Sequence, residues 1–183
     1  MSLLSVFRKF VGFKLLEYFV THPSCEVHLK ELARRVKVSP RSVKIYCDLF
    51  EREGIIVSER KGNLRLFKLN EEDFVVRELK RTYYLILLKE MGIDRICSNC
   101  MSIAIYGSFA LGDFDEKSDL DILVIGDGVQ IDYDLLRIIE GKIDRRIQLT
   151  IISFHKWEEM KSRGDEFALN VMRKHVLIKG VPL

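Results

Sequence analysis

The sequence predicts an α/β chain of the α+β type, in which helices and a β-hairpin precede a small mixed sheet flanked by helices. Apolar residues follow a helical period through most of the first 53 positions, and the pattern changes to short apolar runs after Gly54 and again at Ile103. The 183 residues suffice for one large or two small domains. The apolar share of 48% and the charged share of 31% are typical of a soluble globular chain.

Three helices are expected first. Phe10–Val20 and His28–Val36 carry apolar residues at helical spacing. The third helix, Ser39–Glu53, has the clearest start, because serine can cap it and Pro40 suits the first helical position. Gly54 then suits the left-handed conformation that ends a helix.

Two short strands, Ile55–Glu59 and Leu64–Leu69, follow with a turn at Arg60–Asn63 between them. Three helices followed by a hairpin resemble a winged helix-turn-helix DNA-binding domain, and the resemblance covers residues 10–70. The residues that carry it are Leu32-Ala33, Val38-Ser39, Val43, Gly54-Ile55 and Gly62.

The winged-helix resemblance implies double-stranded DNA as a partner, with the third helix in the major groove and the wing near phosphates. The residues expected to contact DNA are Arg41, Ser42 and Lys44 on the third helix and Arg60, Lys61 and Arg65 on the wing. Residues 1–92 contain 18 basic and 12 acidic side chains, whereas residues 93–183 contain 12 and 15. This distribution favours a polyanion as the partner of the first half. Solvated charges on a protein-interaction module are the alternative.

A long helix is predicted over residues 71–92. Asn70 can cap it, acidic residues follow in its first turn, and it ends near Gly92. It divides the chain into a winged domain at 1–70 and a second domain at 93–183. We also consider this connecting helix a candidate element of a homodimer.

The second half opens with a buried-strand signal, Ile103–Tyr106, followed at once by Gly107-Ser108 and a short helix. A second strand is expected over Asp119–Ile125. Residues two apart on a strand point the same way, so the carboxylates of Asp119 and Asp121 should lie together and could hold Mg²⁺. The glycine lets a ligand approach the backbone, and amides at the start of the short helix suit phosphate. Together these features indicate metal-assisted phosphoryl or nucleotidyl transfer.

The motif within Gly107–Val124 resembles the signature of the polymerase-beta-like nucleotidyltransferase superfamily, in particular its minimal members. The resemblance covers Ile103–Leu183. It implies that Asp119 and Asp121 are catalytic and bind Mg²⁺ together with ATP or another nucleoside triphosphate. The residues that it assigns to the nucleotide-binding part are Gly107, Ser108, Gly112 and Ser118.

Active members of that superfamily add a third carboxylate from a later strand. The corresponding strand should be Arg146–Ile152, and Gln148 lies where the acid is expected, with Asp144 in the preceding turn. A neutral amide cannot act as a base near neutral pH. The sequence therefore leaves three alternatives: a slow nucleotidyltransferase, a DNA-binding transcriptional regulator whose transferase domain senses a nucleotide or binds a partner, or a fold kept only for packing.

Three more helices are expected, at Asp132–Lys142, Phe154–Ser162 and Asp165–His175, with an edge strand at Val176–Lys179. Cys97 and Cys100 form a C-x-x-C without a second close pair. Free thiols are therefore favoured over a local disulfide or a zinc site.

The start of the chain lacks the apolar core of a signal peptide, and the longest uncharged run, Ile96–Gly112, is too short and polar to cross a membrane. These features predict a cytoplasmic protein.

Overall fold

The computed structural model describes residues 2–183. It divides into two compact units, Met1–Ile86 and Leu87–Leu183. Both mix helices with small sheets, as the α+β prediction requires.

The first unit begins with four helices. Their bounds are Leu3–Phe7 (α1), Val11–Thr21 (α2), Leu29–Val36 (α3) and Pro40–Arg52 (α4). The predicted start of α4 is confirmed: the Ser39 side chain accepts a hydrogen bond from the amide of Ser42 at 3.1 Å, and Pro40 is the first helical residue. Lys37 takes the left-handed conformation in the turn between α3 and α4, with φ of 57°. These two helices form the helix-turn-helix.

A three-stranded sheet completes the winged helix. The strands are Val27–His28 (β1), Ile56–Lys61 (β2) and Leu64–Leu69 (β3), in the spatial order β1-β3-β2. The predicted turn at Arg60–Asn63 was too long, because Arg60 pairs with Arg65 and Lys61 with Leu64 within the ladder. Only Gly62 and Asn63 remain for the turn, and the positive φ of Gly62 suits a two-residue hairpin.

One apolar core holds the winged helix together. It joins residues of α2, α3, α4 and the sheet with Val76, which follows the sheet. Each is less than one-tenth exposed: Leu15, Tyr18, Phe19, Val27, Leu32, Ala33, Val43, Cys47, Phe50, Ile56, Phe67, Leu69 and Val76. Several of these are the residues that gave the sequence its helical period. The winged helix-turn-helix fold is therefore confirmed.

The long helix, α5, runs over Phe74–Met91. The prediction that Asn70 caps it was wrong. The Asn70 side chain instead donates to the carbonyl of Gly54 at 2.8 Å, while the Asp73 carboxylate accepts from the amides of Val75 and Val76. Since Asn70 is already engaged with the end of α4, the cap moves to the next suitable acidic residue. The boundary between the two units falls within α5.

The second unit contains six strands and four helices among the described residues. The strands are Cys97–Ser98 (β4), Ser102–Tyr106 (β5), Leu120–Ile125 (β6), Gln130–Ile131 (β7), Ile147–Ile152 (β8) and Val176–Gly180 (β9). The helices are Gly107–Leu111 (α6), Tyr133–Ile143 (α7), Phe154–Ser162 (α8) and Glu166–Arg173 (α9), with a 3₁₀ turn at Ile93–Arg95. Asp132 and Asp165 cap α7 and α9 rather than forming their first turns.

The main sheet has the order β8-β6-β5-β9. It is mixed, because β6 is parallel to β8 while β5 is antiparallel to both of its neighbours. Successive residues of β6 are buried from Ile122 to Ile125, so both faces of the strand are covered there, as its apolar run requires. On one face, Leu123 and Ile125 pack with Trp157 of α8 and Val171 of α9. The predicted small mixed sheet flanked by helices is confirmed.

All four cysteines are free thiols, as favoured from the sequence. Cys97 is buried, and burial together with a hydrogen bond to Cys100 raises the pKa of its thiol to about 12. Within residues 2–183, no cluster of three or more His, Cys, Asp or Glu side chains could hold a metal ion by itself. In the same part of the chain, no helix has the length and apolar character that a membrane crossing needs.

Candidate functional site

The turn from β5 into α6 places Gly107 against a carboxylate. Its φ of 69° lies in the left-handed region, where side chains are strained. A β-carbon at this position would overlap the Asp121 carboxylate and lie 3.3 Å from its Cγ atom. A side chain at position 107 would therefore need both a strained backbone and a shift of the Asp121 carboxylate.

Asp119 and Asp121 lie beside each other, as the strand period predicts. Strand β6 begins at Leu120, so Asp119 immediately precedes the strand rather than belonging to it. Leu120 is fully buried, which leaves the two flanking carboxylates half-buried on the opposite side. The pKa of Asp121 is raised, mainly by burial and also by the negative charge of Asp119. Two mutually repelling, partly desolvated carboxylates favour a bound cation.

The loop before Asp119 is held by an internal turn. The Ser118 hydroxyl donates to the Asp115 carboxylate at 2.8 Å and accepts from the Asp115 amide at 3.0 Å. The hydrogen bond from Ser118 lowers the pKa of Asp115. Ser118 thus uses its hydroxyl to shape the loop that carries Asp119. Gly112, the other glycine of the motif, ends α6 in the left-handed conformation.

Arg145 connects this loop to α6. It is 9% exposed, and its guanidinium donates to the carbonyls of Asp115 and Ser118. The same group lies 5.3 Å from the ring centre of Phe109 and 5.5 Å from that of Phe114, which stack on each other. Arg145 therefore sets the position of Asp119 relative to the start of α6. The sequence pattern gave no sign of this, since its partners lie about thirty residues away.

Gln148 stands next to Asp121 on the neighbouring parallel strand. The two residues are register partners, and Gln148 is exposed. The structure thus places the amide beside the carboxylate pair, where the sequence placed the missing third acid. Asp144 ends α7 in the left-handed conformation with φ of 52°, and no group of three potential ligands among residues 2–183 includes it. Asp144 therefore does not complete a set of three carboxylates.

A cleft of about 420 Å³ adjoins Gly107. Tyr106, Gly107 and Leu111 form one wall. Residues of α9 and the position after it form the other wall: Phe167, Asn170, Val171, Arg173 and Lys174. No pattern in the sequence marks this wall, because it lies about sixty residues from the motif and carries no motif of its own.

Five of the six side chains predicted to contact DNA are exposed on the winged helix, and the sixth, Ser42, is partly buried. Three of the five cations already have carboxylate partners. Lys44 pairs with Asp48 at 2.7 Å, and Lys61 pairs with Glu26 at 2.6 Å. Arg65 pairs with Glu51 and lies 3.6 Å from Asp48.

In the part of the chain that the structure describes, the other three residues predicted to contact DNA are not paired with a carboxylate. The Ser42 hydroxyl is hydrogen-bonded to the Ser39 hydroxyl, with 2.9 Å between the two oxygens. Arg41 and Arg60 have no carboxylate within ion-pair distance in residues 2–183. These two arginines are therefore the cations most available to a phosphate.

The fold and the carboxylate pair define a nucleotidyltransferase-type domain that follows a winged helix-turn-helix. Residues 93–177 match the family model described as a nucleotidyltransferase domain, which confirms the resemblance found from the sequence motif. No curated protein sequence matches the chain.

Several solved structures are similar to parts of the chain. The homodimeric winged helix-turn-helix DNA-binding domain of a Mycobacterium bovis protein is 12% identical, with a TM-score of 0.35, over 40% of this chain and 67% of that one. A toxin–antitoxin structure with AMP-PNP is 17% identical, with a TM-score of 0.33, over 55% and 73%. A proposed nucleotidyltransferase from Sulfolobus solfataricus is 20% identical, with a TM-score of 0.26, over 60% and 86%.

Proposed function

We propose that the second unit binds a nucleoside triphosphate with Mg²⁺ and transfers a nucleoside monophosphate from it to a hydroxyl acceptor. The observation that carries this proposal is the packing of the Asp121 carboxylate against Gly107, with Asp119 beside it. ATP is the first nucleotide to test. In this proposal Asp119 and Asp121 hold the metal, Gly107 and Ser108 contact the triphosphate, and Gly112 and Ser118 shape the surrounding backbone.

The donor set fits magnesium that arrives with its nucleotide. Mg²⁺ is commonly held by one or two carboxylates, with substrate phosphates and water completing its coordination. Two half-buried carboxylates without a third ligand suit that arrangement better than a site for the metal alone. When bound, the metal stabilises the charge that develops on the phosphates during transfer. We therefore expect weak Mg²⁺ binding without nucleotide and mutual enhancement when both are present.

A specific observation also favours a second candidate function. Gln148 lies in register with Asp121 and cannot take a proton from an acceptor near neutral pH. In the second candidate, DNA binding by the winged helix is the output, and the second unit senses a nucleotide or binds a partner.

One titration separates the two candidates. The purified protein is titrated with ATP and with GTP, with and without Mg²⁺, and is then incubated with α-labelled nucleotide. Mg²⁺-dependent binding with label transfer supports the transferase. Binding without transfer supports the nucleotide-sensing regulator. Absence of binding contradicts both nucleotide-dependent roles and leaves partner binding as the role of the second unit.

Restoring an acid at position 148 sharpens the choice. Gln148→Glu puts a carboxylate beside the Asp119–Asp121 pair, and we expect it to raise label transfer at least about 10-fold if the missing acid limits turnover. Gln130→Glu, an exposed substitution on β7, is the matched control. Unchanged transfer by the Gln148 variant, with nucleotide binding retained, would favour the regulator.

We further propose that the winged helix binds double-stranded DNA and that the protein is cytoplasmic. Arg41 and Arg60 are the leading candidates for contacts to phosphates and bases. The support is the fold together with the exposure of these arginines. Binding should weaken steeply with added salt, because cation contacts to phosphate release counterions. Salt-independent or absent binding in a fluorescence titration would leave only a protein-interaction role.

A homodimer is the remaining proposal for the first unit. Phe74 and Val75 at the start of α5 are 76% and 46% exposed, so this end of the helix offers apolar surface to a second copy of the chain. Sedimentation equilibrium should show concentration-dependent dimerisation, and a strict monomer would exclude this role of α5.

A further inference from the structure

The second wall of the cleft beside Gly107 is positively charged. Arg173 is the last residue of α9, Lys174 follows it, and both are exposed. Together with Asn170 they form the polar part of a cleft whose remaining lining is mostly apolar. At about 420 Å³ the cleft is within the size range of small-molecule sites.

These two cations have no acidic partner. In residues 2–183 no carboxylate lies within ion-pair distance of Arg173 or Lys174. Nearby basic residues behave differently: Lys161 pairs with Glu158 and Arg163 with Glu159, each at 2.6 Å. The pair is also out of ion-pair reach of Asp119 and Asp121, so the cations and the carboxylates do not neutralise each other.

The end of α9 does not cancel this charge. A helix carries partial negative charge at its C-terminus, which by itself would repel an anion. Here the amide of Lys174 donates to the carbonyls of Asn170 and Val171, at 3.2 and 3.1 Å. Since two of the last carbonyls are satisfied and two full charges extend beyond them, the wall remains favourable to an anion.

We propose that Arg173 and Lys174 bind the outer phosphates of the nucleoside triphosphate. The inference rests on the proposed function, in which Asp119 and Asp121 hold the metal and Gly107 contacts the same triphosphate. Helix α6 offers no cation, since it consists of Gly107–Leu111. A triphosphate remains negatively charged after binding Mg²⁺, and the free cations of α9 lie in the cleft that adjoins Gly107.

This arrangement makes a specific prediction about ligand choice. A nucleoside monophosphate lacks the outer phosphates and cannot use the α9 cations in this way. The wild-type protein should therefore prefer the triphosphate, and loss of the two cations should reduce that preference more than it reduces affinity for the monophosphate.

The test compares two double variants with the wild type. Arg173→Gln with Lys174→Gln removes the cation pair. Lys142→Gln with Lys156→Gln removes two exposed cations on α7 and α8 and is the matched control. The probe is a fluorescent, non-hydrolysable ATP analogue titrated with Mg²⁺, with AMP titrated in parallel and thermal unfolding used to confirm that each variant folds.

We expect the cation-pair variant to bind the triphosphate about 100-fold more weakly, at about 10-fold for each charge-assisted contact, and the control to change by less than about 2-fold. Wild-type protein that fails to bind the triphosphate would overturn both this inference and the proposed function. Binding that depends on Asp121 but not on the α9 cations would overturn this inference alone. Equal losses of affinity for the triphosphate and for the monophosphate would also overturn it.

Discussion

The two units hold their candidate functional side chains in opposite electrostatic states. In the second unit, Asp119 and Asp121 repel each other, and no cation lies within ion-pair distance in residues 2–183. In the first unit, three of the five candidate cations, Lys44, Lys61 and Arg65, are already paired with acidic neighbours. A cation therefore relieves the repulsion between the two carboxylates of the second unit, whereas DNA must compete with existing ion pairs on the first unit. The effects of substitution should be large in the second unit and small in the first.

The largest effect is expected from Asp121→Asn. Even residues that only support a metal ligand contribute 10- to 100-fold to affinity, so loss of a carboxylate from the pair should weaken Mg²⁺-dependent nucleotide binding by more than about 100-fold. Calorimetric titration measures this, with the exposed loop substitution Asp127→Asn as control. Retained Mg²⁺-dependent affinity in the Asp121 variant would contradict the site.

The same variant should be more stable than the wild type at neutral pH. A raised pKa means that the folded state holds the proton of Asp121 more tightly than the unfolded state does. Its contribution to stability is thus present in acid and is lost as the pH rises through the folded pKa. Thermal unfolding should show a higher Tm for Asp121→Asn at pH 7, and the gain should vanish at about pH 3. A lower Tm at pH 7 would contradict this electrostatic account.

The next effect separates backbone strain from contact with the carboxylate. Gly107 and Gly164 have φ of 69° and 68°, but a β-carbon meets the Asp121 carboxylate at the first position and nothing within 4 Å at the second. Gly107→Ala and Gly164→Ala should each cost about 1 kcal/mol of stability from strain. Only Gly107→Ala should also weaken Mg²⁺-dependent nucleotide binding, by about 10-fold or more. Equal nucleotide affinity in the two variants would mean that the close approach at Gly107 has no functional role.

Much of this site could be predicted because strands have a fixed period and sheets a fixed register. Two acids separated by one apolar residue must share a face. The structure places Gln148 in register with Asp121, as its position in the later strand suggested. Their roles as ligands and the effect of Gln148 stay predictions.

Other features depend on contacts between distant residues and leave no local pattern. Asn70 is of a residue type that often caps helices, but its side chain donates a hydrogen bond to the carbonyl of Gly54, sixteen residues earlier. The wall of the cleft on α9 is defined only once β9 pairs with β5. Charge patterns show a similar limit, since residue counts give the net charge but not which cations are already paired.

A smaller effect is expected from Arg145, which connects the Asp119 loop to α6. Arg145→Met keeps an apolar stem but removes the guanidinium that donates to the carbonyls of Asp115 and Ser118. We expect a loss of about 2 kcal/mol in the free energy of unfolding and a loss of nucleotide affinity smaller than that of the Asp121 variant. Denaturant unfolding measures the first, and Arg146→Met, an exposed neighbour, is the control. A stability loss with unchanged nucleotide affinity would show that Arg145 supports the fold without positioning Asp119.

The smallest effect distinguishes two cations of α4. Arg41 is exposed without an acidic partner, whereas Lys44 pairs with Asp48, whose pKa is lowered mainly by that hydrogen bond. Arg41→Ala should therefore weaken binding to double-stranded DNA by several-fold and reduce the salt slope by about one. Lys44→Ala should have a smaller effect, because DNA must displace Asp48 before it gains the ammonium group. Asp48→Asn releases Lys44 and should strengthen binding. Fluorescence anisotropy over a range of salt concentrations measures all three, and equal losses for the two cations would show that the ion pair opens without cost when DNA binds.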